Sequence, residues 1–133
     1  MLTTGVNFET AMSTLNTIEL KAFVPARDFE LSKQFYQDIG FILASDSDGI
    51  AYFHHHNVSF LLQNFYVKEF ADNFMMHLLV ESVDAWWEKL QEKCIEEKYG
   101  VKMHPPAQRP WKMRDFLLLD PSGVLWRIAE NTP

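Results

Sequence analysis

Phe116-Leu117-Leu118-Leu119-Asp120-Pro121-Ser122-Gly123-Val124-Leu125-Trp126-Arg127-Ile128 is the stretch whose reading decides the fold. Two apolar runs, Phe116–Leu119 and Val124–Ile128, flank a four-residue turn. Pro121 presets its own φ, the Asp120 carboxylate can cap the turn backbone, and Gly123 tolerates positive φ. The segment therefore reads as a β-hairpin near the C-terminus. In the second strand Trp126 alternates with Arg127, so the two side chains serve opposite faces of the sheet.

Working outward, Thr17–Val24 is strand-like until Pro25-Ala26-Arg27-Asp28 breaks it. Asp28 is a good helix N-cap, and Leu31, Phe35, Tyr36 and Ile39 make one apolar face at helical spacing. Gly40 then stands where a left-handed residue ends a helix. Phe41–Ser45, Ile50–His54 and Val58–Gln63 follow as short strands, separated by turns at Asp46–Gly49 and His55–Asn57. The second half repeats the order. Met75–Val80 reads as a strand and Ser82 as a cap, with Val83, Trp86, Trp87, Leu90 and Cys94 on one helix face. Val101–Met103 follows, then a Pro105-Pro106 break and the terminal hairpin. Residues 1–16 read as an N-terminal extension and Tyr66–Asn73 as a joint too short to separate two domains.

The string Asp28-Phe29-Glu30-Leu31-Ser32-Lys33-Gln34-Phe35-Tyr36-Gln37-Asp38-Ile39-Gly40-Phe41, paired with the Asp120-Pro121-Ser122-Gly123 hairpin, resembles the glyoxalase/bleomycin-resistance/dioxygenase (vicinal oxygen chelate) superfamily. Pro110-Trp111-Lys112-Met113-Arg114-Asp115-Phe116 is similar to a Pro-Trp-x-x-Arg-x-Phe run of the bleomycin-resistance branch. The resemblance covers about residues 17–130. It implies an α+β fold of two βαβββ modules, residues 17–64 and 74–130, forming an eight-stranded incomplete barrel around a cleft, with two main helices outside. It also implies a homodimer in which a second subunit completes the cleft.

Metal-using relatives hold a divalent ion through four strand positions. Counting from the helix cap and the terminal turn, those positions fall on Lys21, near Leu61, near Leu78 and on Arg127. A protonated lysine or arginine cannot coordinate a metal, and leucine has no lone pair to offer. A slip of one residue would exchange Leu78 for His77, which alternation would turn to the other face. His54-His55-His56 is most simply a polar turn, because successive strand residues point to opposite sides. His104 sits in a loop before Pro105. Cys94, on an apolar helix face, reads as an inert core thiol. Glu81, and Asp115 beside Arg114, have the chemistry of an acid or base but no partner in view.

Composition narrows the field. Eighteen Asp and Glu against 12 Lys and Arg give a net charge of −6, and no basic stripe offers a phosphate backbone a track. The 47% hydrophobic and 14% aromatic content suits a packed domain, yet no apolar run reaches the ~18–20 residues of a membrane span. A single cysteine excludes an internal disulfide and fits a reducing, cytoplasmic setting. No dinucleotide fingerprint, phosphate loop or nucleophile elbow occurs.

The expected function is a metal-free small-molecule binder that sequesters a planar or aromatic compound, with no cofactor, no nucleic-acid partner and no membrane. Antibiotic resistance is the biology the resemblance implies. The candidate contacts are Lys21, Phe23, Tyr52, His54, Leu61, Trp111, Arg114, Phe116 and Arg127. Trp111 serves either as a stacking wall or as a lid packed on the core. Two readings of the same fold as an enzyme stay open. One is an isomerase, lyase or dioxygenase with a metal held through His54, His77 or Glu81. The other is a metal-free lyase or isomerase using Arg114 with Asp115 or Glu81.

Overall fold

A computed structural model describes residues 14–133. Most of the extension assigned to residues 1–16 therefore lies outside the described residues. The first module runs β1 (Phe23–Pro25), α1 (Phe29–Asp38), β2 (Ile42–Ser47), β3 (Ile50–His55) and β4 (Val58–Gln63). A short α2 (Lys68–Asp72) bridges to β5 (Met75–Leu79), α3 (Val83–Glu92), α4 (Ile95–Tyr99), β6 (Met103–Arg109), β7 (Met113–Leu119) and β8 (Leu125–Asn131).

The two βαβββ modules stand as expected, and their strands form two four-stranded mixed sheets, β1-β4-β3-β2 and β5-β8-β7-β6. Among the described residues the two sheets form no closed barrel. In each module the first strand pairs parallel to the last, β1 with β4 and β5 with β8, while the remaining pairs are antiparallel.

Local chemistry explains the helix starts. Asp28 accepts the Leu31 N–H at 3.1 Å and Ser82 accepts the Ala85 N–H at 3.1 Å, so each expected cap satisfies an orphan donor of its helix. Phe35 and Tyr36 on α1 are fully buried. Tyr36 meets Phe53 and Phe60 from the first sheet and lies 5.6 Å from the Trp126 ring of the second, while Phe35 packs edge-on against Tyr99.

Both modules thus share one aromatic core, closed by a polar junction. The Tyr36 hydroxyl donates to Asp120 and accepts from Trp126 Nε1 at 2.9 Å. The other Asp120 oxygen accepts the backbone N–H groups of Ser122 and Val124, at 2.8 and 2.9 Å. Asp120 is 3% exposed, and burial pushes its carboxyl up to about 6. A second tie joins α1 to α3 and α4. Asp38 accepts from Lys98 at 2.6 Å and from the Tyr99 hydroxyl, and its backbone carbonyl takes the Lys93 ammonium.

Four sequence expectations are corrected. The strand expected over Thr17–Val24 is confined to Phe23–Pro25. Pro105 and Pro106 lie inside β6, which tolerates them as an edge strand with a register shift between His104 and Ala107. The second helix stops at Glu92, and α4 starts after Cys94. Cys94 itself is exposed, in a left-handed conformation at φ 53°, so it is no core thiol.

Candidate ligand-binding site

Alternation gives each sheet two faces. One carries Val24, Phe53, Phe60, Phe116, Leu118, Trp126 and Ile128, all buried in the shared core. The opposite face of each sheet is open. Phe23, Met75 and Leu79 are about half exposed on these open faces, far more than large apolar side chains normally show in a packed strand.

On the first sheet's open face, Phe23 pairs with Leu61, and Leu61 with Tyr52. His54 is the register partner of Ser59. Glu19, in the extended chain before β1, accepts from the Tyr52 hydroxyl at 2.6 Å and the Ser59 hydroxyl at 2.5 Å. Lys21 pairs with Glu19 at 3.2 Å and lies 5.1 Å from the Tyr52 ring centre. The Ser59 and Tyr52 hydroxyls, with Lys21, hold the Glu19 carboxyl down at about 2. Lys21, Phe23, Tyr52, His54 and Leu61 thus share one surface, and the Lys21 charge is matched by Glu19.

The second sheet's open face is organised around Asp115. This carboxylate is fully buried and accepts Arg109 Nε at 2.7 Å and an Arg127 guanidinium nitrogen at 2.9 Å. Trp111, in the turn between β6 and β7, is 56% exposed. Its ring centre lies 5.7 Å from the Arg127 guanidinium carbon, within cation–π range. The next residue, Lys112, takes a φ of 61°, and this left-handed step turns the chain into β7.

Two sequence-derived contacts fall elsewhere. β7 alternates about Asp115, so Arg114 and Phe116 face the helices. Arg114 pairs with Asp84 of α3 at 3.0 Å, and Phe116 is fully buried with its ring 5.2 Å from Trp87. Neither meets Trp111 or Arg127 on the open face. Arg109, which sequence reasoning missed, takes the place given to Arg114. The signal available was the alternation of β6, which sets Arg109 across from Met113.

His77 also changes place. It is the register partner of Arg127, whereas Leu78 pairs with Ile128 and is buried. With that register, the four positions the resemblance assigns to a metal carry Lys21, Leu61, His77 and Arg127. One imidazole beside a guanidinium does not make a divalent site. Among the described residues no group of three or more His, Cys, Asp or Glu is placed to hold a metal. The side chains present do not fit the ion.

His55 does not join the open face. It packs 5.2 Å from the Trp86 ring and 5.9 Å from Phe41, between the modules. Desolvation, with His56 and His54 beside it, keeps its imidazole below the ordinary value. A groove of about 520 Å³ runs past it, with Glu81, Ser82 and Trp86 on its far wall. None of the nine sequence-derived contacts lines that groove.

Among the described residues no helix is long and apolar enough to cross a membrane. The fold resembles that of several solved proteins. A bleomycin-binding protein solved in complex with bleomycin superposes with a TM-score of 0.73 at 19% identity, covering 86% of this chain and 99% of that one. The bleomycin resistance determinant encoded on transposon Tn5 gives 0.71 at 19% identity, over 86% and 98%. TnmS3, an antibiotic-binding protein from Streptomyces sp. CB03234, gives 0.71 at 24% identity, over 89% and 98%. At these identities the likeness is one of fold. No curated protein matches the sequence. The sequence profile of the Glyoxalase/Bleomycin resistance protein/Dioxygenase superfamily matches residues 14–128, and the chain belongs to that superfamily.

Proposed function

We propose that the protein is a metal-free small-molecule binder that sequesters a planar or aromatic compound, in the manner of the bleomycin-resistance branch. The observation that carries this reading is Trp111. It is a half-exposed indole over a paired guanidinium, on a sheet face where His77 is the register partner of Arg127 and no second ligating side chain stands beside it. An exposed indole over a cation is a stacking surface awaiting a flat partner.

Each chain presents two open faces and encloses neither. A homodimer that set the first sheet of one copy over the second sheet of the other would bury Phe23, Met75 and Leu79 together with the ligand. Burial of that kind contributes roughly 1.5–3 kcal/mol for each large apolar side chain. A cytoplasmic setting and a role in antibiotic resistance complete the proposal.

The test is a tryptophan-fluorescence titration of chelator-treated protein with bleomycin and a panel of flat aromatic compounds, alongside sedimentation equilibrium. Saturable quenching by a dimeric, metal-depleted protein is the expected result. Binding or turnover that appears only after metal is restored would replace this reading with an enzymatic one through His77.

A further inference from the structure

We infer that the compound held at the Trp111 face carries an anionic group, a carboxylate or a similarly flat oxyanion, seated on Arg109 and Arg127 while its ring stacks on Trp111. This deepens the binding reading above and rests on it.

Two guanidinium groups share one carboxylate, and among the described residues Asp115 is the only acid paired with either. The cluster keeps one net positive charge in a chain whose overall charge is −6. Glu130 does not offset it, because its carboxylate turns to the helix side and accepts the Val83 N–H at 2.8 Å. The first sheet's open face does not supply a surplus of either sign, since Lys21 and Glu19 pair with each other.

Geometry then selects the ligand. Asp115 is fully buried behind the two arginines, whose side chains keep 25% and 23% of their surface exposed. The carboxylate therefore positions the guanidiniums from below and leaves their outer edges to solvent. Each guanidinium has five N–H donors and gives one to Asp115. Donors in a fixed planar fork match a carboxylate, which accepts two at once. Orientation in advance also lowers the entropy lost when a ligand binds. The Trp111 ring, already over Arg127, adds an apolar plane beside the charge.

A matched series tests this: 2-naphthoate, 2-naphthylmethanol and 2-naphthylmethylammonium, which share a ring system and differ in charge. Fluorescence titration at low salt should show the carboxylate binding at least about tenfold more tightly than the ammonium. Raising salt to about 0.5 M should shrink that gap. Arg127→Gln should cut naphthoate affinity about tenfold and leave the neutral alcohol within about twofold. Asp115→Asn, which adds a positive charge to the cluster, should tighten naphthoate binding. If that variant unfolds, Arg109→Gln replaces it with the opposite expected sign.

Tighter binding of the ammonium than of the carboxylate would overturn the inference and leave the binder reading standing. Equal affinity across the series, unaltered in Arg127→Gln, would do the same. No binding of any member up to about 1 mM, with bleomycin and the aromatic panel also silent, would sink both.

Discussion

Asp115 and Asp120 stand at the two ends of one stretch of chain, both buried, and their surroundings differ in every respect. Asp120 receives only neutral donors, the Tyr36 hydroxyl and the N–H groups of its own turn, and it sits where the two modules meet. Asp115 receives two guanidiniums and lies at the base of an open face. A buried carboxylate with neutral partners holds local structure in place. A buried carboxylate under two cations that keep about a quarter of their surface exposed holds charge at the surface, where the proposed ligand would meet it. The first aspartate serves the fold and the second serves the surface.

The largest effect is expected at the junction. Tyr36→Ala removes a fully buried ring that touches Phe35, Phe41, Phe53, Phe60 and Trp126. It should cost about 3–5 kcal/mol in urea denaturation. A loss below about 1 kcal/mol would show that the modules do not depend on this contact.

Acidity probes the same point more finely. Burial raises the Asp120 carboxyl from 3.8 to about 6, so the folded state holds that proton more tightly than the unfolded chain. The contribution from this group is therefore greatest below about pH 4, falls as pH rises toward 6, and is flat above. At about 1.4 kcal/mol per unit the fall is on the order of 3 kcal/mol. Stability curves of the wild type and Asp120→Asn should differ by this slope between pH 4 and 6. Parallel curves would show that Asp120 is not the group titrating.

The smallest expected effect on stability lies at the other aspartate's face. Trp111→Ala should move the unfolding free energy by no more than about 0.5 kcal/mol, because the ring is already 56% exposed. The same change should weaken aromatic ligands by roughly tenfold, in keeping with one lost stacking contact. A large loss of stability would make Trp111 a lid on the core.

The contrast also explains what could be read from the sequence. The local parts around the junction were legible, since Asp120-Pro121-Ser122-Gly123 declares its turn and Asp28 and Ser82 declare their helices, but the Tyr36–Asp120 contact joins residues 84 apart and was not. The alternation of Trp126 with Arg127 gave the right faces because the hairpin turn fixes its own register. Arg114 and Phe116 went to the wrong face because the parity of β7 depends on which residue lies across from Arg127. That residue is Leu117, a fact of pairing between strands. The same kind of register exchanged His77 for Leu78. Cys94 failed for a different reason, since the helix face it continues ends at Glu92 and the chain reverses at a left-handed step. The edge position of β6, which admits two prolines, is likewise a property of the sheet and not of its own residues.

The most direct test of the account is metal content. The purified protein would be equilibrated with excess nickel, zinc, manganese or ferrous iron, dialysed, and assayed for metal per chain. With Lys21, Leu61, His77 and Arg127 at the positions the resemblance assigns to the ion, no stoichiometric retention is the predicted result. Near-stoichiometric retention, lost in His77→Ala, would contradict it and make the open face an enzyme's metal site.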